Sequence, residues 1–267
     1  MKKWTILGSR LCMAVLVVGC GSSGGAPGMN DTDPDSGLVL TPVDAFVAPD
    51  AAKPADAEPD AVAGRCATGS DRFIKQVISF DPGPCAGFGA SSMPDIVCGP
   101  PEGAGNEEGS TDVVSLGNGG SIVVGFGANG IEDGPGDDFV VFENPFDVGG
   151  NPNDVYMEQG EVSVSEDGVS WTTFPCTSDG GAFSGHCAGV HAVYSNLTDG
   201  ISPFDVAKAG GDAFDLATLG VKKAKYVRIR DLVIEACEDA GTSTDTPFHK
   251  DGFDLDAIAI VNPLLPK

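Results

Sequence analysis

The sequence predicts an all-β fold, a jelly-roll β-sandwich with long loops. Three observations predict it. Short runs rich in Val, Ile and Phe recur through residues 65–267. Gly, Asp, Asn and Pro punctuate them, and no long amphipathic helical period interrupts the series. About 200 residues suit a single sandwich domain.

The elements follow in chain order. Strands are expected at Gln76–Phe80, Asp112–Leu116, Ser121–Phe126 and Phe139–Glu143. A hairpin is expected from Glu161–Ser165 and Trp171–Phe174. In it Val162 and Val164 alternate with Ser163 and Ser165, giving one apolar and one polar face. Asp167-Gly168 supplies the turn, since Gly tolerates positive φ. Trp171 is expected to pack in the core rather than serve as a sugar-stacking platform. Short helical turns are expected near Pro203–Ala209 and Ala213–Leu219. Tyr226–Asp231 is the next strand, and its Arg228 and Arg230 are expected to pair with carboxylates. Phe253–Val261 closes the domain, with Asp254, Asp256, Ile258 and Ile260 on one face because side chains alternate along a strand.

Ahead of the domain, Lys2, Lys3 and Arg10 precede a short apolar stretch, Leu11 to Val18. Basic start, apolar stretch and small residue before a cut are the parts of a secretory signal. The stretch falls short of the roughly 20 residues needed to span a bilayer. Gly19-Cys20 at its end resembles the bacterial lipoprotein box, which implies lipidation of Cys20, a lipid anchor in the membrane and cleavage after residue 19. An ordinary signal peptide with an incidental Cys is the alternative. Gly21 stands where an Asp would mark inner-membrane retention, so an outer-membrane lipoprotein on the periplasmic or cell-surface face is expected. Residues 20–64 read as a tether, because 21–64 carry eight acidic side chains against Lys53 alone and almost no aromatic residue. Such a stretch buries too little apolar surface to offset its ordering entropy, and it extends by self-repulsion. Asp31, Asp33 and Asp35 imitate an EF-hand start, but Ser36 occupies the Gly position and no Glu closes the loop.

The whole chain holds 15 basic and 39 acidic residues. Loss of Lys2, Lys3 and Arg10 with the signal leaves 12 against 39, a net −27. That charge excludes nucleic acid as a partner and favours divalent cations; solubility alone is the plainer reading. Beyond Cys12 and Cys20, six cysteines remain, an even number that reads as disulfides in an exported chain. Short loops favour Cys85–Cys98 and Cys176–Cys187, leaving Cys66 with Cys237. A metal site around His186, Cys187 and His191 is the rival reading, disfavoured because no second Cys stands at ligand spacing.

Three segments carry a resemblance. Val162 to Trp171 reads V-S-V-S-E-D-G-V-S-W and resembles the V-x-V-S-x-D-G-x-x-W hairpin of discoidin-like (coagulation factor 5/8 type C) domains. Lys225-Tyr226-Val227-Arg228-Ile229 resembles their A-R-Y-V-R-I strand. Phe253 to Ile258 resembles the closing strand of galactose-binding-like jelly rolls. The segments cover a small part of the domain and stand in the right order. Gly119–Asn144 departs from discoidin domains and is similar instead to bacterial cell-surface proteins. The resemblance implies export and a structural Ca²⁺ that joins an early loop to the closing strand.

Two acidic clusters are the candidate metal ligands. The first is Asn129, Asp133, Asp137 and Asp138, running on to Glu143; the second is Asp251, Asp254 and Asp256. An ionised carboxylate that leads into a buried strand is costly unless neutralised. Carboxylates and amides without paired His suit Ca²⁺, which takes six to eight oxygens, so one Ca²⁺ linking the clusters is expected. Solvated turn residues are the alternative. Catalytic signatures are missing: no Gly-x-Ser-x-Gly and no His-Glu-x-x-His occurs. The sequence therefore reads as a non-catalytic, surface-anchored lipoprotein. Its calcium-stabilised sandwich would bind extracellular glycan or another surface ligand through loop residues such as Phe146, Tyr156, Phe183, Tyr194 and Phe248. Two alternatives stand beside it: a structural or adhesive cell-envelope protein without a small-molecule pocket, and a carboxylate-dependent glycoside hydrolase.

Overall fold

Alternation of side chains builds two layers. A computed structural model of the chain describes residues 64–67, 70–179, 182–232 and 252–265. Within these, seventeen short strands occur. They are β1 (Gly64–Arg65), β2 (Gln76–Asp81), β3 (Val114–Ser115), β4 (Ser121–Gly125), β5 (Ile131–Glu132) and β6 (Phe139–Phe142). Then come β7 (Phe146–Asp147), β8 (Val155–Tyr156), β9 (Gly160–Ser165), β10 (Thr172–Thr173), β11 (Cys176–Asp179) and β12 (Ala182–Gly185). The series ends with β13 (Asp212–Phe214), β14 (Lys223–Ala224), β15 (Tyr226–Asp231), β16 (Asp254–Leu255) and β17 (Ala257–Ile260). One helical turn, α1 (Val206–Ala209), precedes β13. The signal, Cys20 and the tether lie outside the described residues.

The larger layer is a six-stranded sheet in the order β1-β2-β4-β15-β9-β10, antiparallel throughout. The smaller is β13-β6-β17, also antiparallel, with Ile258 opposite Val141 and Ala213 opposite Val140. Val77, Ile122, Val124, Val162, Val164, Val227 and Ile229 of the first sheet meet Phe139, Val141, Phe214, Ile258 and Ile260 of the second in one buried core. Phe174 and Phe139 both pack on the Phe214 ring, at 4.8 and 5.2 Å between centroids. The intervening residues of the smaller sheet, Val140, Phe142, Ala257 and Ala259, point to its other side. There they form a second cluster with Phe73, Val193 and Ala209. Both faces of β6 are thus buried, which accounts for its unbroken Phe-Val-Val-Phe run. The all-β sandwich expected from the sequence is the fold observed.

Several local expectations change. The closing strand breaks at Asp256: Asp254–Leu255 pairs with β3, and Ala257–Ile260 pairs with β6. Ala213–Leu219 divides into strand β13 and a 3₁₀ turn at Leu216–Leu219 capped by the Asp215 carboxylate. Trp171 is half-buried rather than core, and the Arg228 guanidinium lies 4.7 Å from its ring centre. Arg230 does pair with a carboxylate, Glu161, at 3.2 Å, whereas Arg228 donates to the Ser163 hydroxyl. Asp167-Gly168 makes the hairpin turn as expected, with Gly168 at φ 76° and the Asp167 carboxylate accepting the Val169 and Ser170 N–H groups.

The disulfides are re-paired. Cys66 bonds Cys98, not Cys237, so the Cys85–Cys98 and Cys66–Cys237 pairings are both overturned; Cys176–Cys187 stands. Cys85 is disulfide-bonded too, and Cys237 lies outside the described residues. The short-loop rule failed because β1 pairs with β2 and the 3₁₀ turn Asp95–Val97 buries Val97 in the core, which carries Cys98 to Cys66.

Candidate carboxylate centre

β6 separates the two acidic clusters. Asp138 enters the strand and Glu143 leaves it, five residues on, which at strand rise is about 16 Å. Because β17 runs antiparallel, Asp256 lies at the Phe142 end and Asn262 at the Asp138 end. No single ion can join the 129–138 loop to Asp254 or Asp256. Asp251 lies outside the described residues.

At the Asp138 end, protein donors already meet the charge. Asp138 is fully buried and accepts Gly134 N–H, Leu216 N–H and Asn262 Nδ2–H, each at 2.8 Å. Asp133 pairs with Lys222 at 2.6 Å. Asp137 contributes its backbone carbonyl to Asn262. Asn129 is a strut, its amide oxygen accepting Gly130 and Leu265 N–H and its nitrogen donating to the Asp71 carbonyl. Oxygens of Asp133, Asp138 and Asp215 come within 4.8 Å of one another and could hold a metal, but these donors account for their closeness.

The other end is different. Glu143, Glu158, Asp212, Asp231, Asp254 and Asp256 gather there, and all except Asp254 are under 6 % exposed. Asp231 accepts Gly119 and Phe253 N–H, at 2.9 Å each. Asp256 accepts Glu102 N–H and Asn144 Nδ2–H. Asp212 accepts Gly189 N–H at 2.7 Å and Val190 N–H at 2.9 Å on one oxygen, and meets His191 Nδ1 at 2.6 Å on the other. Gly189 sits so close to the Glu158 carbonyl that a Cβ would fall 2.1 Å from it, at a φ of +81° that also favours Gly. Glu158 accepts Tyr156 O–H at 3.1 Å and Gly252 N–H at 3.0 Å on Oε1. Glu143 Oε2, on a side chain 3 % exposed, has no hydrogen-bond partner.

The electrostatics follow from this geometry. Burial pushes the Glu143 carboxyl well above its ordinary range, and the facing carboxylates of Asp254, Glu158 and Asp212 push the same way. The Asn144 N–H offsets this in part. Burial, then Asp254, raises Glu158 to about 9. Burial raises Asp256 to about 7, against its hydrogen bonds from Asn144 and Glu102. The hydrogen bond to Asp212 raises His191, whose side chain is 72 % exposed.

Aromatic side chains border this end. Phe146 and Tyr156 stack at 5.4 Å between centroids, and Tyr156 reaches Glu158 through its hydroxyl. Tyr194, 45 % exposed, donates its O–H to Asn106, whose carbonyl accepts the Asp147 N–H beside Phe146. The Phe183 side chain and Phe248 lie outside what is described. Of the sequence candidates, Glu143, Asp254, Asp256, Phe146, Tyr156 and Tyr194 converge here. Glu158, Asp212 and Asp231 are not among the sequence candidates, since each joins the others only through the fold; His191, considered in sequence only beside His186 and Cys187, meets Asp212 instead. No protein-family model matches the chain, and no curated protein matches it in sequence.

Proposed function

We propose that this chain is an exported, lipid-anchored, non-catalytic module whose calcium-stabilised β-sandwich captures an extracellular glycan or another surface ligand at one end. The observation that carries the reading is the aromatic border of Phe146, Tyr156 and Tyr194 beside the buried carboxylates. Flat rings offer a face to the C–H side of a sugar, and Asn106, His191 and Glu158 supply polar groups next to them. Ca²⁺ would serve as a structural support that holds the loop bases while the rings meet ligand. The lipid anchor at Cys20 and the acidic tether would carry the domain away from an outer membrane.

A glycan array probed with the oxidised, mature protein tests this. Binding to a defined oligosaccharide, weakened by EDTA and by Tyr194→Ala, is expected. An array with no signal in millimolar Ca²⁺ favours the adhesive-envelope alternative and sinks the glycan reading. Hydrolysis of any arrayed glycan would contradict the non-catalytic part.

A further inference from the structure

The larger sheet turns one face to the core. Val227 and Ile229 of its central strand β15 are buried there. Side chains alternate along a strand, so Tyr226, Arg228 and Arg230 stand on the opposite face, about 7 Å apart. Val123 of β4 and Ser163 of β9 flank Arg228 in register, and Thr173 of β10 lies beyond Ser163. Thr173 is exposed and the Arg230 side chain is 52 % exposed, so this face is open to solvent. Arg228 is unlike the other cations of this acidic chain. Lys208, Lys222, Lys223 and Arg230 each meet a carboxylate. Arg228 meets none among the described residues. Its half-buried guanidinium rests against the Trp171 ring, 4.7 Å from the ring centre, and Nη2 donates to the Ser163 hydroxyl at 3.3 Å. The Ser163 hydroxyl in turn contacts that of Thr173 at 3.0 Å. A guanidinium carries five N–H donors in a planar fork that matches a carboxylate. Ring and hydroxyl therefore hold the group in place while most of its donors remain free for an outside acceptor.

We propose that this open sheet face is a second glycan-binding surface, on which Arg228 receives the carboxylate of a uronic-acid sugar. Charge complementarity selects that class. Arg230 is taken up by Glu161 at 3.2 Å, which leaves Arg228 as the receiving cation. The strong net negative charge of the chain repels long polyanions. One carboxylate on an otherwise neutral sugar escapes most of that repulsion, because exposed charges beyond about 8 Å are screened at physiological ionic strength. It still gains the paired N–H bonds of the Arg228 fork. Trp171 and Tyr226, both half-buried, give the sugar ring apolar contact beside the charge. The Ser163 and Thr173 hydroxyls offer partners to the sugar hydroxyls. The surface goes beyond the glycan reading above and does not rest on it, since Phe146, Tyr156 and Tyr194 take no part.

The test is an array of neutral oligosaccharides and their analogues carrying one uronic acid, probed with the oxidised mature protein in millimolar Ca²⁺. A mono-uronate glycan should bind, and its neutral analogue at least tenfold more weakly. Arg228→Gln should lose at least tenfold in affinity for the uronate. Arg228→Lys, which keeps the charge and removes the fork, should lose as much, while Tyr194→Ala should bind it as the wild type does. Should Arg228→Gln fail to fold by circular dichroism, Arg228→Lys decides alone. Unchanged uronate binding in the Arg228 variants, equal binding of the neutral analogue, or no uronate signal overturns the surface. A neutral-glycan signal lost only in Tyr194→Ala overturns the surface and upholds the end site; a uronate signal lost only in the Arg228 variants upholds the surface and leaves the end site without support. Capture of a synthetic peptide of residues 54–63 in place of any uronate would give this face to the chain's own acidic tether, and that too overturns the proposal.

Discussion

Removing the Cys66–Cys98 bridge should cost more than removing Cys176–Cys187. The first closes a loop with a sequence separation of 32 and the second one of 11. Loop-closure entropy gives about 4 kcal/mol for the longer loop and about 3 kcal/mol for the shorter. The paired change Cys66→Ala with Cys98→Ala leaves no orphan thiol, so the loss reports the cross-link rather than disulfide exchange. The bridge also holds the edge pair β1–β2 and the turn that carries Val97 into the core, so the local cost adds to the entropic one. Urea unfolding of both double variants in excess Ca²⁺ measures the two losses, and non-reducing peptide mapping checks the wild-type bonds. A map that joins Cys98 to Cys85, or a Cys66/Cys98 loss under about 1 kcal/mol, would refute the reasoning.

Three further outcomes are expected. Phe214→Ala should destabilise by about 3–5 kcal/mol in urea unfolding, since the ring is fully enclosed between Phe139 and Phe174; a loss under about 1 kcal/mol would mean the two layers are not packed as described. Asp231→Ala should cost about 1–3 kcal/mol by the same assay, because it strands the N–H groups of Gly119 and Phe253; a neutral change would place those donors in water. The chelated protein should lose stability as pH rises. Glu158 has an ordinary value of 4.5 and a folded value of about 9, so between them the folded state holds the extra proton. The slope is about −1.4 kcal/mol per pH unit, or about 3 kcal/mol from pH 6 to 8. Glu158→Gln should remove that share, and a wild type equally stable at both pH values in EDTA would contradict it.

The sandwich was legible because its strands are written locally. Val162 and Val164 alternate with serines, Tyr226–Asp231 was bounded correctly, and the Phe139–Phe142 run needs nothing beyond its own composition. Two-residue strands such as β7, β8 and β14 carry no such period and exist only through their partners. The carboxylates divided along the same line. Acidic density drew attention to residues 129–138, yet density in sequence says nothing about donors, and Lys222, Leu216 and Asn262 arrive there from far along the chain. Glu158 and Asp212 stand alone in sequence and reach Glu143 only when β6, β9 and β13 are assembled. Asp254 and Asp256 share a strand period, but the break at Asp256 sends them to different neighbours, Glu143 and Glu158 for one, Asn144 and Glu102 for the other.

Thermal unfolding of the oxidised protein, once in EDTA and once in millimolar Ca²⁺, puts the buried, unmatched Glu143 to the most direct test. Saturation at 100-fold excess over Kd stabilises by about 2.7 kcal/mol, which for a domain of this size raises Tm by about 5–10 °C. That rise is the predicted result; two superimposed curves would contradict it.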